Sequence, residues 1–136
     1  MSGEQDTFSR LIRLAMTLRS EEGCPWDRAQ DLASLAQYVM AEAGELQEAV
    51  CARDTDHVRE EIGDVLFSLL SMVVLAEENG DFSLRDLLGE LEAKIVRRHP
   101  HVFGEASAKS IEEACQHWNE VKKSEMHRTR KRKEVK

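Results

Sequence analysis

Residues 31–78 read DLASLAQYVMAEAGELQEAVCARDTDHVREEIGDVLFSLLSMVVLAEE. Apolar residues recur here at helical spacing on both sides of a polar break, Arg53-Asp54-Thr55. The stretch therefore predicts two helices joined by a tight turn. The first runs from about 31 to 52, with Leu32, Leu35, Val39, Leu46, Ala49 and Val50 on its inner face. The second runs from about 56 to 78 and carries Val58, Ile62, Val65, Leu66, Leu69, Val73 and Leu75. Its second half is apolar almost all round, which predicts a central position in the fold or a place in a subunit interface.

Each predicted helix also carries a pair of acids three residues apart, Glu42 with Glu45 and Glu61 with Asp64. At that spacing both members project from one helix face, about one turn apart. Glu45 and Glu61 lie equally far from residue 53, and so do Glu42 and Asp64. An antiparallel hairpin thus brings the four carboxylates to similar heights. Acidic pairs at this spacing also arise by chance on solvated faces in a chain with 26 Asp and Glu, and Glu60, Glu77 and Glu78 read as acids of such faces. The matched heights, and positions at the margin of the apolar stripe, favour a cluster. Such a cluster must bind a cation or protonate some of its members. Oxygen-only ligands suit Mg²⁺, Mn²⁺ or Ca²⁺ better than zinc. A di-iron helical bundle is disfavoured because it requires Glu-x-x-His pairs. Gly44 and Gly63 interrupt the two acidic pairs at about 1 kcal/mol each relative to alanine; their matching positions predict a neighbouring element that tolerates no side chain.

Around this hairpin the remaining 136-residue chain predicts an all-α bundle of about five helices. The first contains Phe8, Leu11, Ile12, Ala15 and Leu18, and ends before Gly23, a candidate left-handed cap. Ser83 with Asp86 and Ser110 with Glu113 resemble N-terminal capping boxes for the fourth and fifth helices. Pro100 predicts that the fourth helix stops at His99. The chain has a net charge of −7, yet its last eleven residues hold six Lys and Arg against one Glu, which leaves the rest at −12. Residues 1–125 are thus expected to form one domain and 126–136 a basic, disordered tail. So acidic a body argues against specific nucleic-acid binding. Three widely spaced cysteines without a Cys-x-x-Cys predict a reducing, cytoplasmic setting. No secretory leader is recognisable, and the longest near-apolar run, 65–76, is too short to cross a membrane.

Four blocks make the chain resemble the MazG-like nucleoside triphosphate pyrophosphohydrolases, of the all-α NTP pyrophosphatase group. They are Gly23-Cys24-Pro25-Trp26-Asp27 with Gln30, Glu42-Ala43-Gly44-Glu45, Glu61-Ile62-Gly63-Asp64 followed by Val65-Leu66-Phe67, and KIVRRHPHVFG at 94–104. The resemblance spans about Phe8 to Glu125. It departs at Ala41, where the family carries the first acid of a Glu-Glu-x-x-Glu motif. It implies Mg²⁺-dependent cleavage of NTPs or dNTPs to nucleoside monophosphate and pyrophosphate, with Mn²⁺ as a substitute ion. It also implies that Glu42, Glu45, Glu61 and Asp64 form the metal-binding and catalytic set. A homodimer or higher homo-oligomer is expected, both from the family and from the apolar second half of the 56–78 helix. The competing class is a catalytically weak nucleotide-binding or dimerisation domain with a sensor role.

Several other residues carry two readings each. Lys94, Arg97 and Arg98 either contact phosphates or compensate a helix C-terminus. Trp26 either stacks on a base or plugs a helix junction. His99 and His101 read as structural, Trp118 as core, and Tyr38 as a residue bordering the site.

Overall fold

In the computed structural model the chain is described over residues 2–135, with side chains over 3–129. Seven helices and no strand occur among the described residues. In order they are α1 (Ser2–Leu18), α2 (Pro25–Arg28), α3 (Leu32–Cys51), α4 (Thr55–Asn79), α5 (Leu84–Arg98), α6 (Pro100–Phe103) and α7 (Ile111–Val135). The all-α expectation holds. The two helices beyond the expected five are single turns, each opened by a proline at its first position, where a missing N–H costs nothing. The chain divides into two compact units, 1–84 and 85–136.

Within the first unit, α3 and α4 pack along each other and α1 packs on α4. Local chemistry sets the hairpin. Asp31 caps α3 in a reciprocal box with Ser34: its Oδ1 accepts from the Ser34 amide at 2.8 Å, while its own amide donates to Ser34 Oγ at 3.0 Å. Asp54 caps α4, accepting from the His57 amide at 3.2 Å. Between the two helices Arg53 takes φ 55°, a left-handed conformation that lets three residues reverse the chain. The core comprises Ala15, Leu35, Ala49, Leu70, Val74, Leu75 and Ala76. The second half of α4 is thus buried along one side, whereas Ile62, Leu66 and Leu69 stay exposed along another.

The opening loop is fastened by Arg19, whose side chain is only 11% exposed. Its Nε donates to both oxygens of Glu78, at 3.0 and 3.1 Å, and its Nη1 donates to the carbonyls of Asp27 at 2.5 Å and Gln30 at 3.4 Å. One guanidinium thereby ties the loop to the end of α4.

The glycines depart from expectation. A β-carbon at Gly44 or Gly63 would meet nothing within 4 Å among the described residues, because both lie on exposed helix surface; no described neighbour excludes a side chain there. Gly23 does not take the left-handed conformation, which among the described glycines belongs to Gly80 (φ 76°) at the end of α4. Gly23 is required for another reason: a β-carbon there would lie 2.3 Å from the Leu18 carbonyl oxygen and 2.4 Å from that of Thr17.

In the second unit α6 packs on α7. The α7 backbone is helical through Val135, so the stretch after Met126, expected to be disordered, continues the helix. Loss of the apolar period removes a packing face, but Lys, Arg, Glu and Met are intrinsically good helix formers. Ser110 Oγ accepts from the Glu113 amide at 3.2 Å, while the Glu113 carboxylate accepts from the Lys109 amide at 2.8 Å, one residue earlier than a regular box requires. Trp118 is half-buried rather than core. Arg98 lies 4.8 Å over its ring, and His99 meets it edge-on at 5.4 Å. His99 Nδ1 lies 2.6 Å from the Ile95 carbonyl.

Candidate metal centre

The hairpin brings Glu42 and Glu45 of α3 to Glu61 of α4, with one oxygen from each within 4.8 Å of the others. Glu42 is 8% exposed and Glu61 only 5%. The Oε2 atoms of both are buried and have no hydrogen-bond partner among the described residues. Two desolvated carboxylates at such range repel each other, and their Oε2 atoms lack the donors that would offset lost hydration. Charge repulsion from Glu42 first, then from Glu61, holds the Glu45 carboxyl above its ordinary value. Exposed acid clusters are common without an ion, but partnerless oxygens on two buried carboxylates are a donor set left for a cation. The all-oxygen composition fits a hard divalent ion.

Asp64, the fourth expected acid, is exposed and lies outside this triplet. It is not remote, since its charge acts on Tyr38. The Tyr38 phenol is held above its ordinary value by hydrogen bonding to Glu42, then by partial burial, then by the charges of Glu42, Asp64 and Glu45. Trp26 of the opening loop meets Tyr38 with ring centroids 5.5 Å apart at 65°. Both rings are about half exposed, so an aromatic edge borders the acids.

Reasoning from the sequence missed His57. Its Nε2 lies 3.1 Å from Glu61 Oε1. The signal was present as His57 and Glu61 at i and i+4, behind a capping Asp54. Beside it Asp54, Asp56, His57, Arg59 and Glu60 line an open depression of about 680 Å³.

Lys94, Arg97 and Arg98 belong to the second unit. There Arg97 Nε donates to Glu125 at 2.5 Å and Arg98 Nη2 at 2.8 Å, so both arginines already carry an ion pair. Lys94 is half-buried.

Comparison with known proteins gives these features a family. The model of the MazG nucleotide pyrophosphohydrolase domain matches residues 30–103. A nucleoside triphosphate pyrophosphohydrolase of Escherichia coli K12 is 38% identical over 87% of this chain, and the uncharacterised protein YabN of Bacillus subtilis is 41% identical over 90%. The chain spans 45% of the first relative's length and 24% of the second's. A crystal structure of a MazG-related protein from Thermotoga maritima matches at 32% identity with a TM-score of 0.72, covering 85% of this chain and 98% of that one. The chain belongs to the MazG nucleotide pyrophosphohydrolase domain family.

Proposed function

We propose that this chain hydrolyses nucleoside triphosphates, NTP or dNTP, to nucleoside monophosphate and pyrophosphate in a Mg²⁺-dependent reaction. The observation behind it is the trio Glu42, Glu45 and Glu61, two of them buried with partnerless oxygens, in a chain of this family. These three acids, with Asp64 beside them, would hold Mg²⁺, and Mn²⁺ would substitute. Charge neutralisation of the triphosphate and activation of water are what a divalent cation supplies in such a site. The half-exposed Trp26 offers a ring on which a base can stack. The 94–104 block supports Lys94, Arg97 and Arg98 as phosphate contacts, and residues 1–125 as the working unit.

The protein is further proposed to work as a homodimer or higher homo-oligomer. Ile62, Leu66 and Leu69, between 41% and 53% exposed, recur along α4 at the spacing of one helical face, a stripe suited to burial against a second copy. No helix among the described residues is long and apolar enough to cross a membrane, and the cysteines are unpaired; a cytoplasmic setting is consistent with both.

The test is pyrophosphate release, read as phosphate after added inorganic pyrophosphatase, over all NTPs and dNTPs with Mg²⁺ or EDTA. Turnover in Mg²⁺ that EDTA abolishes is expected. Turnover indifferent to EDTA overturns the metal assignment, and silence across the panel with tight nucleotide binding replaces the enzyme by a sensor.

A further inference from the structure

We infer that His57 is a positioning residue for the metal centre, fixing Glu61 through a hydrogen bond so that one carboxylate oxygen is kept for the ion. This rests on the metal proposal above.

His57 is the third residue of α4, and the hydrogen bond from its amide to Asp54 Oδ1 at 3.2 Å secures the backbone there. From that position the imidazole reaches one turn along the helix, placing Nε2 3.1 Å from Glu61 Oε1. An ionised carboxylate only accepts, so the favourable arrangement has the proton on Nε2, which donates to Oε1. The two oxygens of Glu61 are thereby distinguished: Oε1 has a donor, and Oε2 is buried without one. Burial alone does not orient a glutamate, whose terminal torsion is broad. A hydrogen bond to one oxygen does.

His57 is not itself a fourth ligand. It stands outside the set of side chains whose donor atoms all lie within 4.8 Å of one another, although it touches one member of that set. Its side chain is 50% exposed, against 7% for that of Glu61. It therefore spans from the open depression formed with Asp54, Asp56, Arg59 and Glu60 to the buried acid. Donors of this kind behind a ligating carboxylate typically govern metal affinity by 10- to 100-fold; a half-exposed imidazole belongs at the lower end.

The deciding measurement is Mn²⁺ binding to the metal-free full chain by titration calorimetry, without nucleotide, for wild type, His57→Ala and His57→Gln. Because His57 lies at the surface, both variants keep the fold, which circular dichroism verifies. His57→Ala is expected to weaken Mn²⁺ binding about tenfold, while His57→Gln, whose amide N–H reaches as far, restores it. Wild-type affinity in His57→Ala overturns the inference and leaves the metal centre standing. A His57→Gln protein as weak as His57→Ala also overturns it, since a donor would then not be what matters. A wild-type chain that binds no Mn²⁺ overturns the metal centre itself, and the role of His57 with it.

Discussion

The ring of Trp26 meets the ring of Tyr38 nearly edge-on, with centroids 5.5 Å apart, and Tyr38 lies one helical turn before the buried Glu42. The single-turn helix α2 and helix α3 thus share one aromatic edge next to the acids. Edge-to-face pairs of this kind contribute about 0.5–1.5 kcal/mol beyond their buried area. Both rings are also about half exposed.

Trp26→Ala is therefore expected to do two separable things. Loss of the ring pair lowers stability by about 1 kcal/mol, read by urea denaturation. Loss of a stacking surface raises KM for nucleoside triphosphates about tenfold with kcat little changed. Trp26→Phe restores most of both. An unchanged KM in Trp26→Ala would reduce Trp26 to a packing residue of its loop.

Arg19 gives a prediction about the same loop from its other side. Its guanidinium serves the Glu78 carboxylate and two loop carbonyls at once. Arg19→Met leaves those acceptors without their donor and costs about 2 kcal/mol. Arg19→Lys recovers little of it, because a single ammonium cannot reproduce a planar fork. Limited proteolysis should cut both variants faster between residues 20 and 30 than elsewhere; uniform cutting would mean that Arg19 does not hold the loop.

The metal-free acid cluster has a signature in pH and chelator. The folded-state pKa of Glu45 is raised by Glu42 and Glu61, so its charged form opposes folding at any pH above that value, and the penalty is relieved as pH falls through it. In EDTA at neutral pH, Glu45→Gln should melt above wild type, with the gap closing under acid. With Mg²⁺ the order should reverse, since only the wild type gains the full stabilisation of a bound ion. The same order in both conditions would exclude a stabilising ion among these acids.

Much of this was legible because the hairpin is governed by local rules. Apolar period, the polar break at 53–55 and the capping acids Asp31 and Asp54 each act within a few residues. Equal distance from the turn placed Glu42, Glu45 and Glu61 together. It also placed Asp64 level with them; Asp64 is exposed and outside the 4.8 Å triplet, because height along a helix does not by itself fix the reach of a side chain. Gly44 and Gly63 were over-read for the same reason, since spacing marks a position without showing what faces it. The contact of His57 with Glu61 is not legible from acid spacing, which carries no information on neighbouring donors. The helix beyond Met126 escaped because an apolar period reports packing, whereas a run of Lys, Arg and Glu continues a helix by propensity alone.

The proposed reaction is tested apart from folding at the acids themselves. Glu42→Gln and Asp64→Asn alter charge at nearly constant volume, so circular dichroism should match wild type. Mg²⁺-dependent pyrophosphate release should fall by at least about a hundredfold, the scale of removing one electrostatic contributor to a developing charge. Ala41→Glu, which adds the acid that the resembled motif carries, tests whether this site lacks anything. Higher turnover there would show that Ala41 limits the enzyme. Unchanged turnover would show that the remaining acids suffice.

Glu125 supplies the last prediction, in the second unit. It accepts from Arg97 at 2.5 Å and from Arg98 at 2.8 Å, and the Arg98 hydrogen bond, followed by that of Arg97, holds its carboxyl below the ordinary 4.5. A depressed folded-state pKa means that stabilisation is fully present above the unfolded value and is lost as pH falls through the folded one. Glu125→Gln should therefore be about 1 kcal/mol less stable than wild type at pH 7, a modest figure because Arg97 is partly solvated. That deficit should persist down to about pH 4.5 and vanish as acid protonates the wild-type carboxyl. Freed of their partner, Arg97 and Arg98 would also gain affinity for phosphate groups. If they contact the triphosphate, Glu125→Gln lowers KM while stability falls, two effects that a purely structural pair would not produce together.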